Sequence, residues 1–153
     1  MSKESTCGEY AQDMTESPGA TLLLTRLSRA VYRRANEDVL GLKMKEFVAL
    51  SYLRHSPGIG QRELSERLMM DANNTVLLLN ALELRDFAER KRHPEDRRRH
   101  IVDITPDGIE ALERAERTMD SLEDDVLRGL NQEERATLRE LLLRALQGVP
   151  VEP

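Results

Sequence analysis

Residues 87–108 read FAERKRHPEDRRRHIVDITPDG, and their order decides the fold. Phe87 to Arg92 can run extended, His93, Pro94, Glu95 and Asp96 form a polar turn containing proline, and Arg99 to Ile104 alternates, with Ile101 and Ile104 apolar and Val102 continuing the run. Two extended stretches around such a turn predict a β-hairpin. Thr105 then stands as a helix N-cap, with Pro106 at the first helical position and Asp107 near the positive end of the helix dipole. The hairpin carries Arg90, Lys91, Arg92, Arg97, Arg98 and Arg99 against Glu89, Glu95 and Asp96, so it is locally basic in a chain whose net charge is -5. The charge is therefore polarised, and the overall acidity does not exclude a polyanionic partner.

Upstream of the hairpin the apolar residues recur at helical spacing. Leu23, Leu27, Ala30, Val31 and Ala35 form a stripe opposite Arg26, Arg33, Arg34 and Glu37, which predicts an amphipathic helix from Gly19 to near Gly41. A second helix is expected from Leu42 to His55, with Phe47, Leu50 and Leu53 on one side, stopped by Ser56, Pro57 and Gly58. Gly60 to Leu68 predicts a short third helix with Leu64 and Leu68 facing inward. Met70, Asp71 and Ala72 then turn the chain, with Asp71 as N-cap, into a fourth helix from about Asn73 to Arg85 carrying Val76, Leu79 and Leu82. Two short helices joined by a tight turn are a helix-turn-helix candidate, and a basic hairpin directly after them reads as a wing.

Downstream, Ile109, Leu112, Ala115, Met119, Leu122 and Val126 predict a long fifth helix ending near Gly129 and Leu130. Asn131 with Glu134 makes a capping-box start for a sixth, carrying Leu138, Leu141, Leu142 and Leu146 until Gly148 and Pro150. The fold class is thus mainly α: a winged helix-turn-helix DNA-binding region over 42–104, a helical dimerisation region built from both chain ends (19–41 and 105–148), and a flexible tail over 1–18. The dimer expectation rests on apolar surface. Leu22, Leu23 and Leu24, beside Leu138, Leu141, Leu142 and Leu143, give stripes wider than one small core needs, so an isologous two-fold pairing is expected.

Several function classes fall away. His55, His93 and His100 are scattered without Cys or Asp at metal spacing, and no phosphate loop, carboxylate pair or nucleophile motif occurs, so no catalysis, metal or cofactor is expected. The chain has a single cysteine, Cys7, which cannot form an internal disulfide, and it lacks both a signal-peptide pattern and an apolar run of membrane-spanning length. A cytoplasmic protein without membrane contact is expected.

The order of elements, with Gly41-Leu42, Gln61-Arg62-Glu63-Leu64, Met70-Asp71 and above all Asp96-x-Arg98 running into Thr105-x-x-Gly108, resembles the MarR family of dimeric winged-helix regulators over roughly Leu22 to Leu146. The resemblance implies a homodimeric repressor on a pseudo-palindromic site in double-stranded DNA. It also implies release by a small phenolic or other aromatic effector held between the first, second and fifth helices, where Tyr32, Arg33, Met44 and His55 are the nearest residues. The sequence departs from the family in its recognition helix, where Asn80 and Ala81 replace a basic residue, and Leu77 and Leu78 stand where polar groups are expected; these leucines either meet thymine methyls or pack under the wing. At the start of that helix Asn73, Asn74 and Thr75 either reach base edges or cap the helix. Gln61 and Arg62 are either phosphate contacts or solvated helix surface. On the wing, Arg98 suits a narrow minor groove, Asp96 is expected to orient it by a salt bridge, and Arg92 and Arg97 are expected on phosphates. Two alternatives remain: a winged-helix module that binds only proteins, and a thiol-sensing repressor acting through Cys7.

Overall fold

The computed structural model describes residues 18–149; the expected tail and Cys7 lie essentially outside them. The chain runs through α1 (Ala20–Arg34), α2 (Glu37–Leu40), α3 (Met44–His55), β1 (Ile59–Gly60), α4 (Gln61–Arg67), α5 (Ala72–Leu84), β2 (Ala88–Arg92), β3 (His100–Ile104), α6 (Pro106–Val126) and α7 (Gln132–Gln147). Helix boundaries follow the caps. Asp71 accepts the Asn74 N–H at 2.8 Å, Thr105 the Gly108 N–H at 3.0 Å, and Asn131 the Glu134 N–H at 2.9 Å while Glu134 reaches back to the Asn131 N–H at 2.8 Å.

Two elements differ from the sequence expectation. The first helix does not continue to Gly41: it ends at Arg34, and Asn36 caps the separate α2 by accepting the Val39 N–H at 3.1 Å. An Asn side chain competes for backbone donors and so favours a cap over a helix interior. The turn after α2 closes on Gly41 at φ 71, a backbone state that glycine adopts without a Cβ penalty. The second difference is β1, two residues pairing antiparallel with β3 (Ile59 opposite Val102, Gly60 opposite Ile101), so the expected hairpin is the larger part of a three-stranded sheet ordered β1-β3-β2. A two-residue strand is too short to show a period of two.

The core lies in the middle of the chain. Leu42, Leu50, Leu53, Leu64, Leu78, Leu79, Leu82, Val102 and Leu112 are fully buried, with Ala49 and Ala115 filling the closest approaches. Helix α5 buries Thr75, Leu78, Leu79 and Leu82, whereas Val76 is only half-buried. The one buried charge among the described residues, Glu46, is satisfied: it accepts the Lys43 N–H at 3.0 Å and an N–H of Arg85 at 3.1 Å. Arg85 also donates to the Gly41 carbonyl at 2.7 Å and lies 4.5 Å over the Phe87 ring, so this carboxylate ties the start of α3 to the end of α5.

The wing is fixed to α6 by the Thr105-x-x-Gly108 sequence. Thr105 donates its hydroxyl to the Asp86 carbonyl at 2.5 Å and its backbone N–H to the Phe87 carbonyl at 3.1 Å. A Cβ on Gly108 would stand 2.0 Å from the Phe87 oxygen, so the first turn of α6 sits against the base of β2 only because residue 108 has no side chain. Neither α1 nor α7 buries a residue.

Candidate nucleic-acid interface

Helices α4 and α5 are joined by a four-residue turn in which Met69 takes φ 53 and the Met69 and Met70 N–H groups return to the Glu66 and Ser65 carbonyls. The turn delivers Asp71 to the head of α5. Its carboxylate is held below the usual range by the backbone N–H and then the amide of Asn74, which donates at 2.5 Å.

The helical period then sorts α5 into two faces. Thr75, Leu78, Leu79 and Leu82 point inward; Asn73, Leu77, Asn80 and Leu84 lie on the opposite side and are exposed, Leu77 by 59% and Leu84 by 88%. Of the two leucines left open by the sequence, Leu78 belongs to the core and Leu77 to the surface. Thr75 corrects its expected role: it is fully buried and its hydroxyl donates to the Asp71 carbonyl at 2.9 Å, so it secures the first turn of α5 from within. Asn73 is exposed, whereas Asn74 spends part of its amide on the cap.

The wing tip, residues 93–99, is closed by its own backbone. The His93 N–H meets the Arg99 carbonyl at 2.9 Å, the Arg99 N–H meets the Asp96 carbonyl at 3.0 Å, and Asp96 Oδ1 accepts the Arg98 backbone N–H at 3.0 Å. Asp96 makes no salt bridge to the Arg98 guanidinium among the described residues; in this two-residue turn its short side chain reaches the backbone donor first. Arg92 donates to the Arg97 carbonyl at 3.1 Å and braces the tip. Arg92, Arg97, Arg98 and Arg99 form no ion pair among the described residues. The other two cations of the hairpin are neutralised by the protein's own carboxylates: Lys91 pairs with Glu89 of the same strand at 2.5 Å, and Arg90 pairs with Glu83 of α5 at 2.5 Å.

Arg90 has a bridging place that no local pattern reveals. Its Nε and backbone N–H reach Glu83 Oε1 at 3.0 and 2.9 Å, and its Nη2 also donates to the Asn80 side-chain oxygen Oδ1. Glu83 is thereby held below the usual carboxylate range, chiefly by the Arg90 guanidinium. This network locks the outer face of α5 to the wing. No local spacing rule links a helix residue to a strand seven positions later, so only the fold reveals it.

Between α4 and the wing lies a cleft of about 1240 Å³ lined by Gln61, Arg62, Asp71, Arg98 and Arg99, among others. The structure thus brings the two expected α4 residues together with Arg98 of the wing and its neighbour Arg99 in one concavity, whereas Arg92 and Arg97 do not line it. Arg62 is solvated and pairs with Glu66 at 3.3 Å. The four residues expected around an effector are not gathered in this way. Tyr32 and Arg33 project from an exposed face of α1, Met44 packs on the core, and His55 is exposed, with Nδ1 2.7 Å from the Ser51 carbonyl of its own helix. None of them lines this cleft or the apolar groove of about 500 Å³ between α1, α6 and α7, whose walls include Leu27, Val31, Met119, Leu122, Leu138 and Leu142.

The winged region is coupled to α6 by Arg54, whose guanidinium meets both oxygens of Glu116, one at 2.8 Å. Arg54 holds the Glu116 carboxyl below its ordinary range.

A helix-turn-helix followed by a basic hairpin and closed by an antiparallel strand before it defines a winged-helix protein. Comparison with known proteins narrows the class. The MarR family model matches residues 42–100. The regulator BilQ of Clostridium symbiosum is 30% identical over 67% of this chain and 71% of its own length. A relative from Thauera aromatica, named for regulation of an hcr operon, is 34% identical over 62% of this chain; the match spans 57% of that protein's length. Among solved structures, the transcriptional repressor CouR bound to a 23-mer DNA duplex superposes with a TM-score of 0.76 at 28% identity, covering 94% of this chain and 99% of CouR. The chain belongs to the MarR family. No described helix is long and apolar enough to cross a membrane.

Proposed function

We propose that this protein is a cytoplasmic transcriptional repressor that binds a pseudo-palindromic site in double-stranded DNA as a homodimer. The observation that carries the reading is the pairing of an exposed α5 face, directly opposite the core stripe, with a wing whose Arg92, Arg97, Arg98 and Arg99 form no ion pair among the described residues. The likeness to CouR on its duplex and to the named regulators supports it. In this reading residues 42–104 contact DNA, with Asn73, Asn74 and Leu77 toward the major groove, Gln61, Arg62, Arg92 and Arg97 toward phosphates, and Arg98 in the minor groove. Residues 19–41 and 105–148 join two copies through the leucines that α1 and α7 leave uncovered. Two recognition helices related by a two-fold axis then call for half-sites about 10 base pairs apart.

The test is selection of bound sequences from a randomised duplex library, followed by titration of the enriched duplex at several salt concentrations. Arg98→Ala is expected to weaken binding by about 1–3 kcal/mol and to flatten the salt dependence by about one phosphate equivalent per subunit. Asp96→Ala is expected to weaken binding as well, because the tip loses the turn that aims Arg98, although simple charge counting predicts tighter binding. A wild-type protein that retains no duplex even at low salt would overturn the proposal in favour of a protein-binding winged helix.

A further inference from the structure

On the outer face of α5, Asn80 lies in register with Asn73 and Leu77, about two helical turns after Asn73 and so about 10 Å further along the axis. Its amide is not free to choose an orientation. Arg90 donates to the Asn80 side-chain oxygen, and a guanidinium has donors only, so the oxygen must face Arg90. Arg90 in turn is held on Glu83 by two side-chain bonds, at 3.0 and 2.5 Å, and the pair is largely shielded, with side chains 22% and 31% exposed. The amide nitrogen of Asn80 is therefore the end presented to solvent, with two N–H groups and no acceptor.

An unconstrained Asn matches adenine by offering one acceptor and one donor at once; an Asn that can only donate cannot make that pair. In the major groove the base edge that answers two donors is guanine, which shows the O6 and N7 acceptors and no donor. We propose that Asn80, polarised by Arg90, is a specificity-determining residue that reads guanine, about three base steps from the base met by Asn73. Arg90 is then a positioning residue: it contacts no DNA, and its task is to fix which end of the amide faces the groove. The inference rests on the reading of α5 as the base-contacting helix.

The experiment is selection from the same randomised duplex library with full-length wild type, Asn80→Asp and Arg90→Met, compared position by position. For the wild type a guanine is expected at one symmetric position in each half-site. Asn80→Asp keeps the Arg90–Glu83 pair and presents an acceptor instead of donors, so that position is expected to change to cytosine, whose N4 amino group donates, with other positions unchanged. Arg90→Met releases the amide, and the preference for guanine over adenine there is expected to fall roughly tenfold. If Arg90→Met fails to fold, Asn80→Asp alone decides. Identical enriched sequences for wild type and Asn80→Asp, or a wild-type site without the symmetric guanine, overturn the assignment. Absence of any enrichment by the wild type overturns the DNA-binding reading itself and is thus distinguishable.

Discussion

Leu50, Leu53, Leu64, Leu78, Leu79 and Leu82 in the winged region are fully buried, whereas Leu22, Leu23 and Leu24 of α1 and Leu141, Leu143 and Leu146 of α7 are between 45% and 63% exposed. The residue type is the same, and the difference lies in what each region packs against. The winged region closes its core with three helices, a sheet and the first half of α6. The terminal helices pair polar and apolar faces correctly for amphipathic helices but leave the apolar face lining an open groove. A region with all its contacts inside one chain answers to mutation through folding free energy; under the proposed pairing of two copies, the terminal helices answer through association.

The sharpest way to break this comparison is at the junction between the two. Gly108→Ala forces a Cβ against the Phe87 carbonyl, which can yield only by moving β2 or α6, and is expected to cost about 4 kcal/mol in a urea unfolding titration. Gly129→Ala meets nothing within 4 Å and serves as the control, with an expected change within about 0.5 kcal/mol. Next in size, Leu53→Ala opens a cavity in the core and is expected to destabilise by about 3 kcal/mol at any protein concentration. Leu146→Ala is expected to leave the unfolding of the winged region within about 0.5 kcal/mol while shifting the dimer–monomer equilibrium seen by light scattering toward monomer. Equal effects of both leucine variants on unfolding, with no change in association, would erase the distinction.

The smallest effect concerns acid. Glu83 and Glu116 have carboxyls lowered from 4.5 by Arg90 and Arg54. Their contribution to stability is complete above the ordinary glutamate value and is lost as pH falls through the lower folded-state values. Both groups are about one-third solvent-exposed, so screening limits each to below about 1 kcal/mol. The double variant Glu83→Gln, Glu116→Gln is expected to be less stable at neutral pH and to show a shallower loss of stability below pH 4.5.

The parts of the fold legible in the sequence are those set by local chemistry. Asp71, Thr105 and Asn131 cap helices with the side chains expected of them, and the polar turn between the basic β2 and the apolar β3 makes the wing. Of the parts the pattern does not give, β1 depends on a contact distant in the chain, since β3 pairs with it, whereas the break at Ala35 is local, set by the Asn36 cap inside an apolar stripe that otherwise continues. In the candidate site, the sequence singles out Arg92, Arg97 and Arg98 among the six hairpin cations. The fold separates the remaining three: Arg90 and Lys91 serve the protein's own carboxylates, whereas Arg99, like the singled-out arginines, forms no ion pair among the described residues. Thr75 was misread. Its place beside two asparagines suggested a common face, but a step of one or two residues along a helix turns a side chain from groove to core.

The arginines at the wing tip also govern how the molecule would meet a polyanion in the first place. Helix α6 carries Asp107, Glu110, Glu113, Glu116, Asp120, Glu123, Asp124 and Asp125 against Arg114 and Arg117, and only Glu116, Asp124 and Asp125 of these acids pair with arginines of other helices, Arg54, Arg135 and Arg34, among the described residues. The protein is therefore an electrical dipole with a net charge of the same sign as DNA. Approaches that lead with the acidic helix are repelled, and those that lead with the wing are drawn in, so encounters are sorted by orientation before any base is touched. Mobile ions shorten the reach of this torque to about 8 Å at physiological ionic strength. Salt thus acts on the traffic of collisions as well as on the strength of the final complex, and it slows arrival chiefly by letting wrongly turned molecules come close.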